Sequence, residues 1–184
     1  FHHFLAKVTC TSRICFEDKY LKEHHGFPYI AGLDIFVHDN VSRDRKNQEH
    51  CEKIAEYIIT VADNIADGSM NSEQEKDALK RISQLCNGDV SAYQNKEEER
   101  IQLYTLAENI FAAFKDDDCD EMTQMMPCSM YGNHMRIPKK YYDEVVRIPF
   151  ENTTIPVPIG FDAMLSKRYG DYMKLVRNPG GHNY

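Results

Sequence analysis

Two aspartates in one short apolar segment are the residues of this sequence best suited to chemistry. The segment AGLDIFVHDN, residues 31–40, carries Asp34 in its middle and Asp39 near its end. Apolar and polar residues alternate here, which predicts a β-strand, and a strand this apolar is expected to be covered on both faces. An unpartnered carboxylate in such a strand is costly, so we expect it to be neutral, hydrogen-bonded or holding a metal ion.

These two carboxylates suit a hard divalent cation. Many phosphoryl- and nucleotidyl-transfer sites hold Mg²⁺ or Mn²⁺ with one carboxylate within a strand and one just past its end, because such cations prefer carboxylate oxygens. The alternative is that Asp34 faces solvent on a half-exposed strand and that Asp39 only begins a turn. His38 is interpreted as a solvated histidine at the strand end.

Two other polar stretches are interpreted as structural. The acidic run 116–121 contains D-x-D spacings, but it follows a helix C-terminus, where carboxylates interact unfavourably with the helix dipole, so we expect a solvated loop. The pair Gly68-Ser69 fits a cap between two helices. The sequence contains no P-loop, no G-x-S-x-G motif and no H-E-x-x-H motif.

The first two thirds of the chain read as extended sequence followed by three helices. Residues 4–16 are expected to be extended and residues 23–29 to form a loop. Asn40 and Ser42 offer caps for a helix from Asp44 to Ala66, and further helices are predicted over 73–86 and 96–114. The expected core residues on these helices, at helical spacing, are Ile54, Ile58, Val61, Ile65, Leu79, Ile82, Leu85, Ile101, Leu103, Tyr104, Leu106, Ile110 and Phe114.

The last third predicts a hairpin and a closing helix. Ile137-Pro138 is expected to open a short helical turn. Residues 145–160 predict a hairpin turning at Asn152-Thr153, whose proline-containing second arm is an edge strand. A helix over 161–169 then ends at Gly170. This order of strands, helices and a final hairpin predicts an α/β or α+β fold.

Size, charge and cysteine usage narrow the class of protein. A chain of 184 residues predicts one domain, over 1–184. Its net charge of -7 argues against a nucleic-acid partner but not against a phosphorylated small molecule, whose charge a divalent metal would balance. No apolar run approaches the roughly 20 residues that span a bilayer, and the first residues do not form a signal peptide. Six scattered cysteines are expected to be reduced thiols of a cytoplasmic protein.

A more distinctive combination of residues lies between 150 and 173. Phe150-Glu151 stands in the hairpin, Ile155-Pro156-Val157-Pro158 is an extended segment, Phe161-Asp162 starts a helix, and the sequence YGDYM follows at 169–173. This order resembles the closing motif of the LicD family of phosphocholine transferases. Leu33-Asp34-Ile35-Phe36, followed by Asp39, likewise resembles the Asp-Ile-Phe strand of that family. The resemblance spans residues 27 to 175, with a helical insert over 44–120.

The resemblance implies both a fold and an activity. The fold would be a nucleotidyltransferase-like mixed sheet flanked by helices. The activity would be the metal-dependent transfer of phosphocholine, or a similar phospho-alcohol, from a CDP-linked donor to a cell-surface glycan such as lipopolysaccharide, capsule or teichoic acid. The residues expected to act are Asp34 and Glu151 in catalysis, Asp34 and Asp39 as ligands of Mg²⁺ or Mn²⁺, and Arg13, Tyr169, Asp171 and Lys174 in binding the donor.

The sequence departs from the family pattern in one respect. A D-x-D pair should precede Asp34, but residues 1–33 contain none, and Asp18 stands alone beside Glu17. We therefore expect either a chain that starts downstream of that pair or a degenerate member. Two alternatives stay open: a binding or scaffold domain of the same fold without the metal, and a helical interaction module whose Met-rich segment 122–135 receives a partner.

Overall fold

The computed structural model describes residues 5–24, 29–90, 95–124 and 136–174, and over these ranges the protein has an α+β fold. The helices are α1 (Asp18–Glu23), α2 (Arg45–Ala66), α3 (Ser72–Cys86), α4 (Lys96–Phe111) and α5 (Phe161–Tyr169). The strands are β1 (Leu5–Cys15), β2 (Tyr29–Phe36), β3 (His38–Val41), β4 (Glu121–Gln124), β5 (Ile137–Pro138), β6 (Val145–Phe150) and β7 (Thr153–Pro158). Short 3₁₀ turns follow α4 at Ala112–Phe114 and β5 at Lys139–Tyr142.

Helices α2, α3 and α4 form the main hydrophobic core. Apolar residues at helical spacing face one another, and Ile58, Ile82 and Leu103 are almost completely buried. Two of the predicted core residues are wrong, since Leu85 is 36% exposed and Ile101 is 46% exposed. Ile101 lies two residues before Leu103 and therefore points to nearly the opposite side of α4. This core lies within residues 44–120, the segment predicted to be a helical insert.

The ends of these helices are fixed by local side chains. Asp44 caps α2, because its carboxylate accepts from two backbone N–H groups of the first turn. This corrects the prediction that Asn40 and Ser42 would cap the helix: the Ser42 hydroxyl accepts from the Asp44 N–H instead. Asn71 forms a capping box at the start of α3. The predicted interhelical cap at Gly68 is confirmed by its φ of 74°.

The predicted strand over 31–40 is in fact two strands in two sheets. It is interrupted at Val37, so that β2 pairs antiparallel with β1 while β3 belongs to a separate sheet of order β3-β4-β5. In the first pairing Asp34 lies opposite Lys7, and in the second Asp39 lies opposite Thr123. The two aspartates therefore belong to different sheets. All strand pairings within the described ranges are antiparallel, and the nucleotidyltransferase-like arrangement stays a prediction.

The ribbon β1–β2 is open to solvent, which corrects the expectation of a strand covered on both faces. Leu33 is 72% exposed, Val37 is 51% exposed and Ile35 is 48% exposed, and Asp34 is exposed with them. Within the described ranges, each strand of this ribbon pairs only with the other, and a two-stranded ribbon does not enclose either of its own faces. Alternation in the sequence indicates which residues share a face, but it does not indicate whether another element covers that face.

The C-terminal hairpin and helix agree closely with the sequence prediction. Phe150 pairs with Thr153, so the turn is Glu151-Asn152, one residue earlier than predicted. Glu151 has a φ of 49°, a left-handed conformation that non-glycine residues adopt rarely. Strand β7, which carries the two prolines, pairs only with β6 among the described strands and is an edge strand there, as expected. Gly170, with a φ of 69°, follows α5.

Three local predictions are corrected. Helix α1 lies in a region for which no helix was predicted. Ile137 and Pro138 extend the β3-β4-β5 sheet, and the expected helical turn begins only at Lys139. Helix α4 ends at Phe111 and continues as a 3₁₀ turn. Among the helices of the described ranges, none combines the length and the apolar character needed to cross a bilayer.

Candidate functional site

Strand β3 places a row of polar residues beside the end of α4. The Asn40 side-chain amide donates to the main-chain oxygens of Phe114, at 3.1 Å, and Lys115, at 3.0 Å. These carbonyls belong to the end of the helical segment, where backbone acceptors lack intrahelical donors. Asn40 therefore ties β3 to the C-terminal end of α4. The residue before it, Asp39, is held against the same helix.

Asp39 and Glu108 form a pair of partly buried carboxylates. The Asp39 Oδ2 atom is inaccessible to solvent and has no hydrogen-bond partner within the described residues. Burial raises the pKa of Asp39 above its ordinary value. The pKa of Glu108, on α4, is also raised, first by burial and then by the negative charge of Asp39. Because burial and like-charge repulsion both disfavour two ionised carboxylates, this pair favours a proton or a cation between them.

The predicted partner of Asp39 lies elsewhere. Asp34 is exposed on the β1–β2 ribbon, and its side chain does have an interaction partner. No group of three or more His, Cys, Asp or Glu side chains suited to a metal ion occurs within the described ranges. The described structure therefore brings Asp39 together with Glu108 and does not complete a cluster around Asp34.

The aspartates of the acidic run after α4 are exposed in a loop, as predicted, and arginines bind this run at the surface. The Arg43 guanidinium donates to both carboxylate oxygens of Asp120, at 2.8 and 2.9 Å, and to Asp118 at 3.0 Å. Arg45 donates to Glu121 at 2.7 Å. The hydrogen bonds between Arg43 and Asp120 raise the pKa of the guanidinium and lower the pKa of the Asp120 carboxylate. The loop after α4 is thus attached to the start of α2.

A large open cleft lies at the Val41 end of β3. Its volume is about 740 Å³, and charged groups of both signs line it. Arg43, Arg45, Lys139 and Lys140 contribute positive charge, and Asp120, Glu121 and Asp143 contribute negative charge. We name this the charged cleft. Its mixture of donors and acceptors suits a polar, hydroxyl-rich ligand better than an apolar one.

A second, smaller cleft lies at the other end of β3. It has a volume of about 160 Å³ between β3, β4, β5 and α5. We name it the His38 cleft, and its lining residues are His38, Gln124, Ile137, Met164, Leu165, Lys167, Arg168 and Tyr169. His38 Nδ1 lies 3.2 Å from the Tyr142 hydroxyl, and the two rings meet edge to face. His38 is therefore a half-buried, hydrogen-bonded residue, which corrects its interpretation as a solvated one.

A chain of polar contacts connects the two clefts through the interior. The Ser42 N–H donates to Gln48, and the Gln48 amide donates to Glu52 Oε1 at 2.9 Å. Arg136 donates to the same oxygen at 3.0 Å, as a buried ion pair. Lys167 of α5 in turn donates to the Arg136 main-chain oxygen. The position of α5, and with it one wall of the His38 cleft, thus depends on the pair between Arg136 and Glu52.

Most of the other predicted site residues lie in the C-terminal part of the chain. Tyr169 lines the His38 cleft and is 62% exposed, whereas Glu151, Asp171 and Lys174 are exposed and line neither cleft. Within the YGDYM segment, the Tyr172 hydroxyl donates to Asp162 at 2.6 Å. Arg13 belongs to β1, and its side chain lies outside what the structure describes, as does most of the Met-rich segment.

Sequence reasoning missed four residues that the tertiary structure brings to these sites. They are Glu108, Gln124, Arg136 and Arg168. Glu108 and Arg168 are ordinary charged residues of helices, and nothing in their spacing distinguishes them from solvated positions. Gln124 lies within the Met-rich segment 122–135, whose composition gave no sign of a buried amide.

No protein-family model, no curated protein and no solved structure matches this chain. The fold and the site define an α+β protein with a pair of partly buried carboxylates and a cleft at each end of β3. Its function has to be argued from that geometry, with the resemblance to the LicD family as a prediction beside it.

Proposed function

We propose that this protein takes part in the metal-dependent transfer of phosphocholine, or a similar phospho-alcohol, from a CDP-linked donor to a hydroxyl of a cell-surface glycan. The fold proposed with it is nucleotidyltransferase-like, and the donor implies a cytoplasmic site of action. The observation that carries the proposal is the Asp39 carboxylate, whose buried Oδ2 has no hydrogen-bond partner within the described residues and which faces the charge of Glu108.

The residues at this point fit a magnesium-type ion. Mg²⁺ is commonly held by one or two protein carboxylates, with water and substrate phosphates as the remaining ligands. Asp39 and Glu108 provide two such carboxylates, and a cation there would relieve the repulsion that raises the pKa of Glu108. The family pattern adds Asp34 as a third carboxylate, although its strand lies in a different sheet.

The chain's own residues would bind and orient the two substrates. Asp39 and Glu108 would hold the cation, whose positive charge supports phosphoryl transfer by balancing the charge on the transferred group. Asn40 would keep Asp39 in place through its bonds to the end of the helical segment. The charged cleft would bind the glycan, because its carboxylates accept from sugar hydroxyls and its lysines donate to them. Glu151 and the YGDYM segment keep the roles that the resemblance implies.

Calorimetry tests this proposal directly. CDP-choline is titrated into the protein with and without Mn²⁺, and the same titrations are made with Asp39→Asn, Asp34→Ala and, as a control on an exposed helical position, Asp77→Asn. We expect metal-dependent binding that Asp39→Asn weakens by about tenfold or more, as loss of a metal ligand or its support does. Asp77→Asn should bind normally. Metal-independent binding that is unchanged in both site variants would contradict the proposal.

A second candidate is a binding or scaffold domain that has the same fold without metal-dependent chemistry. It is favoured by the observation that the described ranges provide two neighbouring carboxylates rather than a group of three metal-ligating side chains. This candidate predicts that Mn²⁺ leaves the thermal midpoint unchanged and that Asp34→Ala and Asp39→Asn have no effect on ligand binding. The titrations above therefore separate the two candidates.

A further inference from the structure

The His38 cleft is lined by the amide of Gln124, at the end of β4. Gln124 is 7% exposed, and its side chain makes no hydrogen bond to any residue in the described ranges. An amide has two donor hydrogens and a carbonyl acceptor that a ligand can use. Its placement at the end of β4, opposite His38, makes these groups available to a ligand in the cleft.

His38 adds a polar ring beside Gln124, its cross-strand partner. The ring is half-buried, and its contact with the Tyr142 hydroxyl at 3.2 Å holds it in place. The cleft thus presents an amide and an imidazole, with Ile137 and Met164 as apolar neighbours.

The rim of the cleft is cationic. Arg168 and Lys167 stand on α5, and none of the described residues that line the cleft carries a carboxylate. The Arg168 guanidinium carbon lies 5.4 Å from the centre of the exposed Tyr169 ring, so the two side chains form one flat, positively charged surface. This surface attracts an anionic group and repels a quaternary ammonium. The choline end of a CDP-choline molecule therefore does not suit this cleft.

The size of the cleft limits the ligand to one small ring. Its volume is about 160 Å³, and a protein cavity of about 150 Å³ holds a benzene-sized molecule. A pyrimidine base has that size and carries an edge of adjacent donors and acceptors. An amide pairs well with such an edge, and an adjoining phosphate would lie at the cationic rim.

We propose that the His38 cleft binds the pyrimidine base of a nucleotide, with Gln124 pairing with the base edge, Tyr169 contacting its face and Arg168 contacting the first phosphate. This inference deepens the proposed function, on which it rests for the identity of the donor. It assigns to the cleft His38, Gln124 and Arg168, three residues outside the motif shared with the LicD family. Because an amide can rotate to present either donor or acceptor, the cleft should accept cytosine and uracil alike.

The test uses the intact chain in EDTA, so that it does not depend on the Asp39 site. CMP, UMP, AMP and ribose 5-phosphate are titrated separately, followed by calorimetry and by the NMR signals of the His38 imidazole. We expect CMP and UMP to bind and to shift these signals, and AMP and ribose 5-phosphate to bind at least tenfold more weakly. Gln124→Met should weaken CMP binding by about tenfold. Gln102→Met, at an exposed position of α4, is the matched control.

The outcomes distinguish this inference from the proposed function. If ribose 5-phosphate binds as tightly as CMP, or if Gln124→Met binds CMP normally, the base-binding assignment is overturned. If CMP binds as expected in EDTA but CDP-choline shows no metal-dependent binding, the cleft assignment stands and the metal-dependent transfer is contradicted. Circular dichroism and thermal midpoints of both glutamine variants establish that each variant is folded.

Discussion

Asn40 donates from its side-chain nitrogen to the main-chain oxygens of Phe114 at 3.1 Å and Lys115 at 3.0 Å, and more weakly to that of Asp117 at 3.5 Å. These residues lie more than seventy positions further along the chain, so the contact joins a strand to the end of a distant helix. Because Asp39 precedes Asn40 in β3, this contact also positions the carboxylate that we propose to bind a metal ion.

Replacing Asn40 should therefore affect both stability and the site. Asn40→Ala removes the donor, and although the Phe114 oxygen still accepts from the Asp117 N–H, the Lys115 oxygen loses the hydrogen bond from Asn40. This should lower the free energy of unfolding by about 1–2 kcal/mol in urea denaturation. If Asn40 also positions Asp39, the Mn²⁺ affinity should fall by about tenfold. Asn47→Ala, on the exposed first turn of α2, is the control. Loss of stability without any loss of Mn²⁺ affinity would restrict Asn40 to a structural role.

The carboxylate pair predicts an unusual effect of neutralising Asp39. A folded-state pKa above the unfolded value means that stability is lost as the pH rises through the folded pKa, because the folded protein must then ionise a desolvated group. Asp39→Asn should therefore raise the thermal midpoint of the metal-free protein at pH 7, and the gain should vanish below about pH 4. Mn²⁺ should raise the midpoint of the original protein and not that of the variant. Scanning calorimetry from about pH 3 to pH 8 checks both, and a lower midpoint for metal-free Asp39→Asn at pH 7 would contradict the prediction.

The lowered pKa of His38 predicts a change in stability in a different pH range. Its folded pKa lies below the ordinary value of about 6.5, so the unfolded chain binds a proton more readily. Stability should fall as the pH drops from about 6.5 through the folded pKa, because His38 must charge in a partly buried position beside Arg168. His38→Gln should flatten this part of the stability curve, measured by urea denaturation from pH 5 to 8. His50→Gln, at an exposed position of α2, is the control variant.

The ion pair between Arg136 and Glu52 is the buried contact most sensitive to truncation. Their side chains are 7% and 15% exposed, so removing one partner leaves the other charge buried. Arg136→Met should lower the free energy of unfolding by about 3 kcal/mol. The double variant Arg136→Met/Glu52→Leu should recover most of this loss, because no unpaired charge remains. If the double variant is less stable than Arg136→Met alone, the loss of stability does not come from a buried unpaired charge, and the prediction is contradicted.

Gly160, at the start of α5, should not tolerate a side chain. A Cβ at this position would lie 2.3 Å from side-chain atoms of Tyr141 and 2.7 Å from its Cα, so part of the clash is with backbone. Gly160→Ala should cost about 1–3 kcal/mol of unfolding free energy, as overpacking does. The matched control is Gly88→Ala, where the nearest atom would be 3.8 Å away. Equal stabilities of the two variants would show that Tyr141 can move aside.

The sequence by itself determined the elements whose formation depends on neighbouring residues. The helices α2, α3 and α4, their core residues Ile58 and Ile82, and the final hairpin and helix follow from hydrophobic period, caps and turns. These signals lie within a few residues of the structure they specify. The site residue Asp39 was also found this way, because a carboxylate in apolar sequence is unusual.

Only the tertiary structure decided what surrounds these elements. It exposed Asp34 on an open ribbon, placed Glu108 beside Asp39 and brought Gln124 to one cleft with Arg168. The physical reason is that burial, pKa and partner choice depend on contacts between residues far apart in the chain. A local pattern shows which side chains share a face of a strand or helix, and the packing of distant elements decides whether that face meets solvent, a core or another charge.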